Sequence, residues 1–292
     1  MADTQRYVSK ELSHFVGRGL PEEDQYQLLL HILQTCWLTY PPHDPTKPRM
    51  PKLDLSQPIS NDKIIDYQVV CFCDIPYTDL AIHVSKYSKF GLAFNKSFLI
   101  ERGATPVNYI ANDAPVPITS TDQLFKPLDF MPRIEAAEKA GRIDRALYFD
   151  TSVRAIIDLF IALDSLCCDE KDRYFKGAPG GVHEQRFAQL MGLSDQQMLA
   201  VAGALKGNKS ALGSVRALTD FLMNHVFTFM KCFDGNRSFE DAANYYMERE
   251  WRIGGNVQFT LSDVARVFFP VSYATRFRAD FPAYTGQVSF MD

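Results

Sequence analysis

Residues 116–244 lack the two-residue alternation that marks the chain on either side of them, and this contrast limits the fold more than any other feature. Within the span, Val153, Ile156, Ile157, Phe160 and Leu163 fall on one face of a helix. Ser194 with Gln197, just after Gly192, has the pattern of a capping box. Leu212, Val215, Thr219, Leu222, Val226, Phe229 and Phe233 advance by three and four until Asp234-Gly235-Asn236 stops the run. A helical block between two strand-rich ends leaves those ends to pair with each other. The expectation is an α+β chain with one sheet built from both ends. Residues 1–115 plus 245–292 form its core, and 116–244 a helical insertion.

In the first end, Arg6–Val16 reads as a strand carrying His14 near its close, with Gly17-Arg18-Gly19 breaking it. Pro21 and the acids Glu22, Glu23 and Asp24 start a helix whose Tyr26, Leu29, Leu30, Leu33 and Trp37 keep helical spacing. Six prolines between Tyr40 and Pro58 impose an irregular loop. Ile64–Ile75 is almost continuously apolar and β-rich, which suits a buried strand ending at Asp74. Thr78–Ser88 reads as a short helix with Asp79, His83 and Tyr87 on one side. Phe90–Phe94 and Pro106–Ala111 read as strands. In the second end, Val257–Thr260 is β-like and Leu261–Phe269 reads as a helix followed by a strand. Ser272–Ala283 then reads as a helix and Gln287–Phe290 as a closing strand.

Tyr245–Ile253, with sequence Tyr-Tyr-Met-Glu-Arg-Glu-Trp-Arg-Ile, is half charged and lies just before Gly254-Gly255. If extended, it puts Glu248, Glu250 and Arg252 on one face and Met247, Trp251 and Ile253 on the other. Two carboxylates and a guanidinium on one strand are costly unless that face is a cleft that uses them. A helix end, with Glu248 and Arg252 as an ordinary i,i+4 pair, is the other reading.

Net charge is −4, so nothing global draws the chain to nucleic acid or an anionic membrane. The polar start lacks a signal-peptide apolar region, and the strongest apolar run, Ala155–Leu166, contains Asp158 and Asp164. The expectation is a soluble cytoplasmic protein. Its six cysteines show no zinc spacing and read as free thiols. Phosphate-loop, dinucleotide-fingerprint, zincin and hydrolase-elbow motifs do not occur. Asp74, Glu248 and Glu250 could form a hard-cation cluster, but no lysine completes a nuclease signature, and no metal site is assigned. A Cys73 nucleophile is disfavoured because an apolar run raises a thiol's pKa. By default His14 is a hydrogen-bonded structural histidine and His83 a surface or capping one.

The ordered set Tyr-Val-Ser-Lys-Glu-Leu-Ser-His-Phe-Val-Gly-Arg from Tyr7, Cys-Phe-Cys-Asp-Ile-Pro from Cys71, His83, Tyr87-Ser-Lys-Phe-Gly-Leu-Ala-Phe and Tyr245–Ile253 resembles the AbiGi family of bacterial abortive-infection proteins. The family acts in phage resistance and is described as containing antitoxins. This implies an anti-phage role, with a cognate toxin, antitoxin or phage protein as partner. His14, Tyr87 and Glu248-Arg249-Glu250 also follow the order of site residues in ADP-ribosyltransferase-like folds. That second resemblance implies a mainly antiparallel sheet, NAD as cofactor and a macromolecular target. Glu250 would steady the oxocarbenium ion and Glu248 the acceptor, as catalytic residues. His14 would contact the NAD ribose and Tyr87 would stack on nicotinamide. Asp74, His83 and Arg252 flank the resembling segments and complete the cofactor-binding candidates. Cys71-Phe72-Cys73 departs from the Ser-Thr-Ser type strand of those folds, and no phosphate clamp is evident beyond Arg18 and Arg252.

Overall fold

In a computed structural model, the strand-rich ends of the chain meet in one seven-stranded sheet. The structure describes residues 9–40, 46, 52–54, 56–57, 65–66, 68–115, 145–175, 180–238, 241 and 244–291. In chain order the first elements are β1 (Glu11–Phe15), α1 (Glu22–Thr35), β2 (Trp37–Leu38), β3 (Lys52–Leu53), β4 (Ile65–Asp66) and β5 (Val69–Cys73). Next come α2 (Ala81–Lys86), β6 (Gly91–Asn95), α3 (Lys96–Ile100), β7 (Thr105–Pro106) and β8 (Asn108–Ala111). The middle holds α4 (Arg145–Cys167), α5 (Gly180–Met191), α6 (Asp195–Leu205), α7 (Lys209–Phe221) and β9 (Met230–Phe233). The chain closes with β10 (Glu250–Gly254), β11 (Val257–Gln258), β12 (Val264–Phe269), α8 (Ala274–Asp280) and β13 (Gln287–Phe290).

Two compact units result. The first takes residues 1–52, 67–109 and 236–292, and the second 53–66 and 110–235. The sheet of the first unit runs β13-β12-β6-β1-β5-β10-β7. Its strand pairs are antiparallel except β12 with β13, which are parallel. Register divides its side chains cleanly. Leu12, Val70, Phe72, Leu92, Phe94, Ile253, Val267 and Phe269 share one core with Tyr26, Leu29, Leu30 and Leu33 of α1. Each large apolar side chain buried there stabilises the fold by about 1.5–3 kcal/mol. Acids Glu22, Glu23 and Asp24 occupy the first turn of α1, and Cys36 in the left-handed conformation closes it through a 2.8 Å bond to the Ile32 carbonyl.

The opposite face carries Ser13, Cys73, Ala93 and Glu250, which line up across β1, β5, β6 and β10. β1 stays with β6 over five residue pairs but meets β5 only at Ser13 and Cys73. The two central strands therefore part beyond that point. At Gly91 an added Cβ would lie 2.6 Å from the His14 carbonyl oxygen, so only glycine lets β6 pass so close to β1 there.

Several sequence expectations change in detail. Among the described residues of Ile64–Ile75 there are two strands, β4 and β5, which belong to different sheets. The Thr78–Ser88 helix is a 3₁₀ turn, Tyr77–Asp79, followed by α2. Pro106–Ala111 splits into β7 and β8, which belong to different sheets. The helical run to Phe233 ends at Phe221; a wider turn over Leu222–Val226 and a 3₁₀ turn lead into β9, which pairs with β8. Buried Phe227, Phe229, Met230 and Cys232 satisfy either period, so their spacing could not separate a helix from a strand. Leu261–Asp263 is only a 3₁₀ turn before β12. Most of Tyr40–Pro58 lies outside the described residues.

In the second unit, Ala162 and Leu166 of α4 pack with Phe187 of α5, and Met198, Val201 and Leu205 of α6 cover them. The Ser194–Gln197 capping box forms as expected. Asp158 of α4 accepts a hydrogen bond from the His183 ring and pairs with Arg186. No helix among the described residues is long and apolar enough to cross a membrane.

Candidate functional site

Glu248 and Glu250 reach the same sheet face by different backbone routes. The expected single strand over Tyr245–Ile253 is instead a 3₁₀ turn, Tyr245–Glu248, followed by β10. Arg249 joins them in the left-handed conformation, φ 45° and ψ 52°. A residue with a side chain pays strain there. Asp74 holds it in place: the Asp74 N–H donates to the Arg249 carbonyl at 3.2 Å, and Arg249 Nη2 donates to Asp74 Oδ2 at 3.4 Å.

Glu248 is buried. Its Oε1 accepts from the Tyr87 hydroxyl at 2.5 Å and from Lys86 Nζ. These partners stand 161 and 162 positions away, at the end of α2. His83 stacks on Tyr87 with ring centroids 4.4 Å apart, and the Arg18 guanidinium lies 4.9 Å from the Tyr87 centroid on the ring face. Burial pushes the Tyr87 phenol well above the usual tyrosine range, and the charges of Glu248 and Glu250 push it further. At neutral pH Tyr87 is therefore a neutral hydrogen-bond donor. Beside Glu248 a cleft of about 200 Å³ is lined by Pro76, Asp79, His83, Lys86, Asn244 and Met247, among others.

Glu250, also buried, accepts from Arg252 Nε at 2.7 Å along its own strand. Its backbone N–H donates to the Tyr109 hydroxyl oxygen at 2.6 Å. The structure thus gathers Tyr87, His83, Glu248, Glu250 and Arg252. Lys86 and Tyr109 belong to the same group, but neither stands in a spacing that sequence reasoning could detect. His14 and Asp74 sit elsewhere. His14 alternates with Ser13 and shares the face of Leu12; its Nδ1 pairs with the Cys71 carbonyl at 2.7 Å where β1 and β5 part. Asp74 is tied to Lys96 at 2.9 Å, to Arg249 and to the Ser9 N–H, and Lys96 lies over the Trp251 ring. Among the described residues, no three His, Cys, Asp or Glu side chains are grouped to hold a metal ion.

The family model for the abortive phage resistance protein AbiGi, described provisionally as an antitoxin, matches residues 61–279. The chain belongs to the AbiGi family. The family is one of abortive phage resistance, and the match contains Lys86, Tyr87, Glu248, Glu250 and Arg252; His14 and Arg18 precede it. Comparisons with curated proteins and with solved structures give no match.

The face beneath Glu248 yields a direct test. Cys73 is buried, and burial together with the Glu248 charge pushes its thiol up, out of the reactive range. Cys71, two residues away on the same strand, is exposed. A water-soluble maleimide should label Cys71 in the native protein and Cys73 only after denaturant is added, as read by peptide mass spectrometry. Equal labelling of both in the native state would contradict this placement.

Proposed function

We propose that this AbiGi protein defends against phage by transferring ADP-ribose from NAD to a macromolecular target, with the Tyr87–Glu248–Glu250 face as its site. The observation that carries this reading is the convergence of two buried carboxylates and a neutral phenol from segments 161 residues apart on one sheet face. Loss of nicotinamide leaves positive charge on the ribose, and a fixed carboxylate in a dry cleft stabilises such charge more than water does. Glu250 takes that role, and Glu248 orients the acceptor. A cleft of about 200 Å³ has room for a ring of nicotinamide size, and His83, itself stacked on Tyr87, supplies an aromatic side chain in its lining.

In this reading His14 acts as the wedge between β1 and β5 and does not touch the ribose. Lys86 competes with any acceptor for Glu248, which favours an effector that stays quiet until infection displaces the lysine. The test is cellular NAD in bacteria expressing the chain, before and after phage infection. NAD should fall on infection, together with reduced plaquing. Protection with constant NAD would overturn the reading.

The family description supports a second reading, an antitoxin that binds a toxin. Leu218 and Phe221 stand exposed on α7, as a partner surface would require. A toxin that co-purifies with the chain, and is released by Leu218→Ser with Phe221→Ser, would favour it.

A further inference from the structure

Helix α6 is packed on one side and open on another. Met198, Val201, Ala202 and Leu205 lie on the core that α4 and α5 share. Leu199 points clear of that core and is 74% exposed, the highest value for a large apolar side chain among the described residues. Gly203, one turn later on the same side, is exposed as well. A glycine inside a helix destabilises it relative to alanine. Space within the chain does not demand one here, because an added Cβ at Gly203 would meet nothing within 4 Å. A knob and an open hole therefore stand four residues apart on one exposed helix face.

Charge brackets that face. Asp195 opens α6 and Lys206 closes it, and both are exposed. Asp195 comes four residues before Leu199, and Lys206 three after Gly203. At about 100° per residue the four positions share one arc of roughly 80°. Lys206 Nζ lies 3.4 Å from Asp169 Oδ1, but both side chains are mostly in water, so that pair holds Lys206 weakly.

We propose that α6 is the contact between two copies of this chain, packed antiparallel about a two-fold axis. In that arrangement the face is complementary to itself. Leu199 of one protomer sits over Gly203 of its partner, and the reverse holds across the axis. The same register sets Asp195 of each copy against Lys206 of the other, since the two lie roughly 8–9 Å either side of the axis at about 1.5 Å per residue. A parallel pairing would instead set Asp195 on Asp195 and Lys206 on Lys206. An unrelated partner would have no need of this internal match of knob with hole and acid with base. One 11-residue helix from each copy covers less than the roughly 800 Å² per partner of a standard interface, so the dimer is weak and forms at micromolar concentrations and above. This contact is independent of the ADP-ribose transfer reading.

Sedimentation velocity of the full chain, from low micromolar to several hundred micromolar, tests this. Wild type should pass from monomer to dimer and no further, because a two-fold contact closes on itself. Leu199→Glu should weaken the dimer by roughly tenfold or more. Gly203→Leu should weaken it as much while thermal unfolding stays at or above wild type, since the fold has room for the side chain and leucine favours a helix. Asp195→Lys should weaken the dimer less, and adding Lys206→Glu to it should restore association. Leu218→Ser with Phe221→Ser on α7 should change nothing. A wild type that stays monomeric throughout overturns the proposal. So does a dimer that survives both Leu199→Glu and Gly203→Leu, or one that the α7 variant abolishes. If the charge swap restores nothing, the antiparallel register is wrong.

Discussion

Replacing Arg252 by methionine is expected to destabilise the first unit by about 3–5 kcal/mol, the usual cost of removing one partner of a buried ion pair. Both members of the pair have side chains under a tenth exposed, and Arg252 Nε is 2.7 Å from the Glu250 carboxylate. Methionine fills much of the same volume, so the loss is electrostatic and not a cavity. What remains is a carboxylate out of water without its guanidinium. The double variant Glu250→Gln with Arg252→Met should recover a large part of the stability, because it removes the stranded charge as well. Trp251 lies between the two residues on β10 and reports the transition by fluorescence. If the single and double variants unfold at the same urea concentration, the pair is not what stabilises this strand.

The same pair shows what the sequence could and could not disclose. Alternation put Glu250 and Arg252 on one face and Trp251 and Ile253 on the other, and the structure has them so. The alternation did not extend back to Glu248, since Arg249 takes a left-handed conformation that nothing in its own side chain demands. Asp74 supplies the reason from 175 residues away, a contact that no local pattern encodes. Glu248 still reaches the same face, by a turn and not by a strand.

Helix α1 was legible because its signals are local: a proline, three acids and a stripe at helical spacing. The end of the middle block was not, because an apolar aromatic run fits a helix face and a buried strand equally. Lys86 was hidden for a different reason. A lysine beside a tyrosine at a helix end reads as a solvated charge, and only the fold reveals that it meets Glu248. His14 shows the converse. Its place in the order of site residues suggested a ligand contact, while the pleat turns it to the face of Leu12.

Glu250→Gln is expected to reduce NAD turnover by roughly 10²–10³-fold, the range seen when one preorganised charge-stabilising group is removed from a site. Glutamine keeps the shape and an oxygen that Arg252 Nε can still donate to, but it leaves the buried guanidinium without its counter-charge. The variant should therefore melt at a lower temperature than wild type while still folding at the assay temperature, as thermal unfolding would show. Only the charge that opposes the developing oxocarbenium is lost. Glu248→Gln should behave differently. Its carboxylate is shared by Tyr87 and Lys86 and is assigned to the acceptor, so label transfer to protein or nucleic acid should fall further than nicotinamide release. Measuring both products from radiolabelled NAD separates the two roles. Phage plaquing on cells carrying each variant then links the chemistry to defence: protection should vanish with Glu250→Gln. A folded Glu250→Gln protein that still releases nicotinamide at the wild-type rate would remove this glutamate from the chemistry. Equal losses of release and transfer in Glu248→Gln would instead make both carboxylates serve the same step.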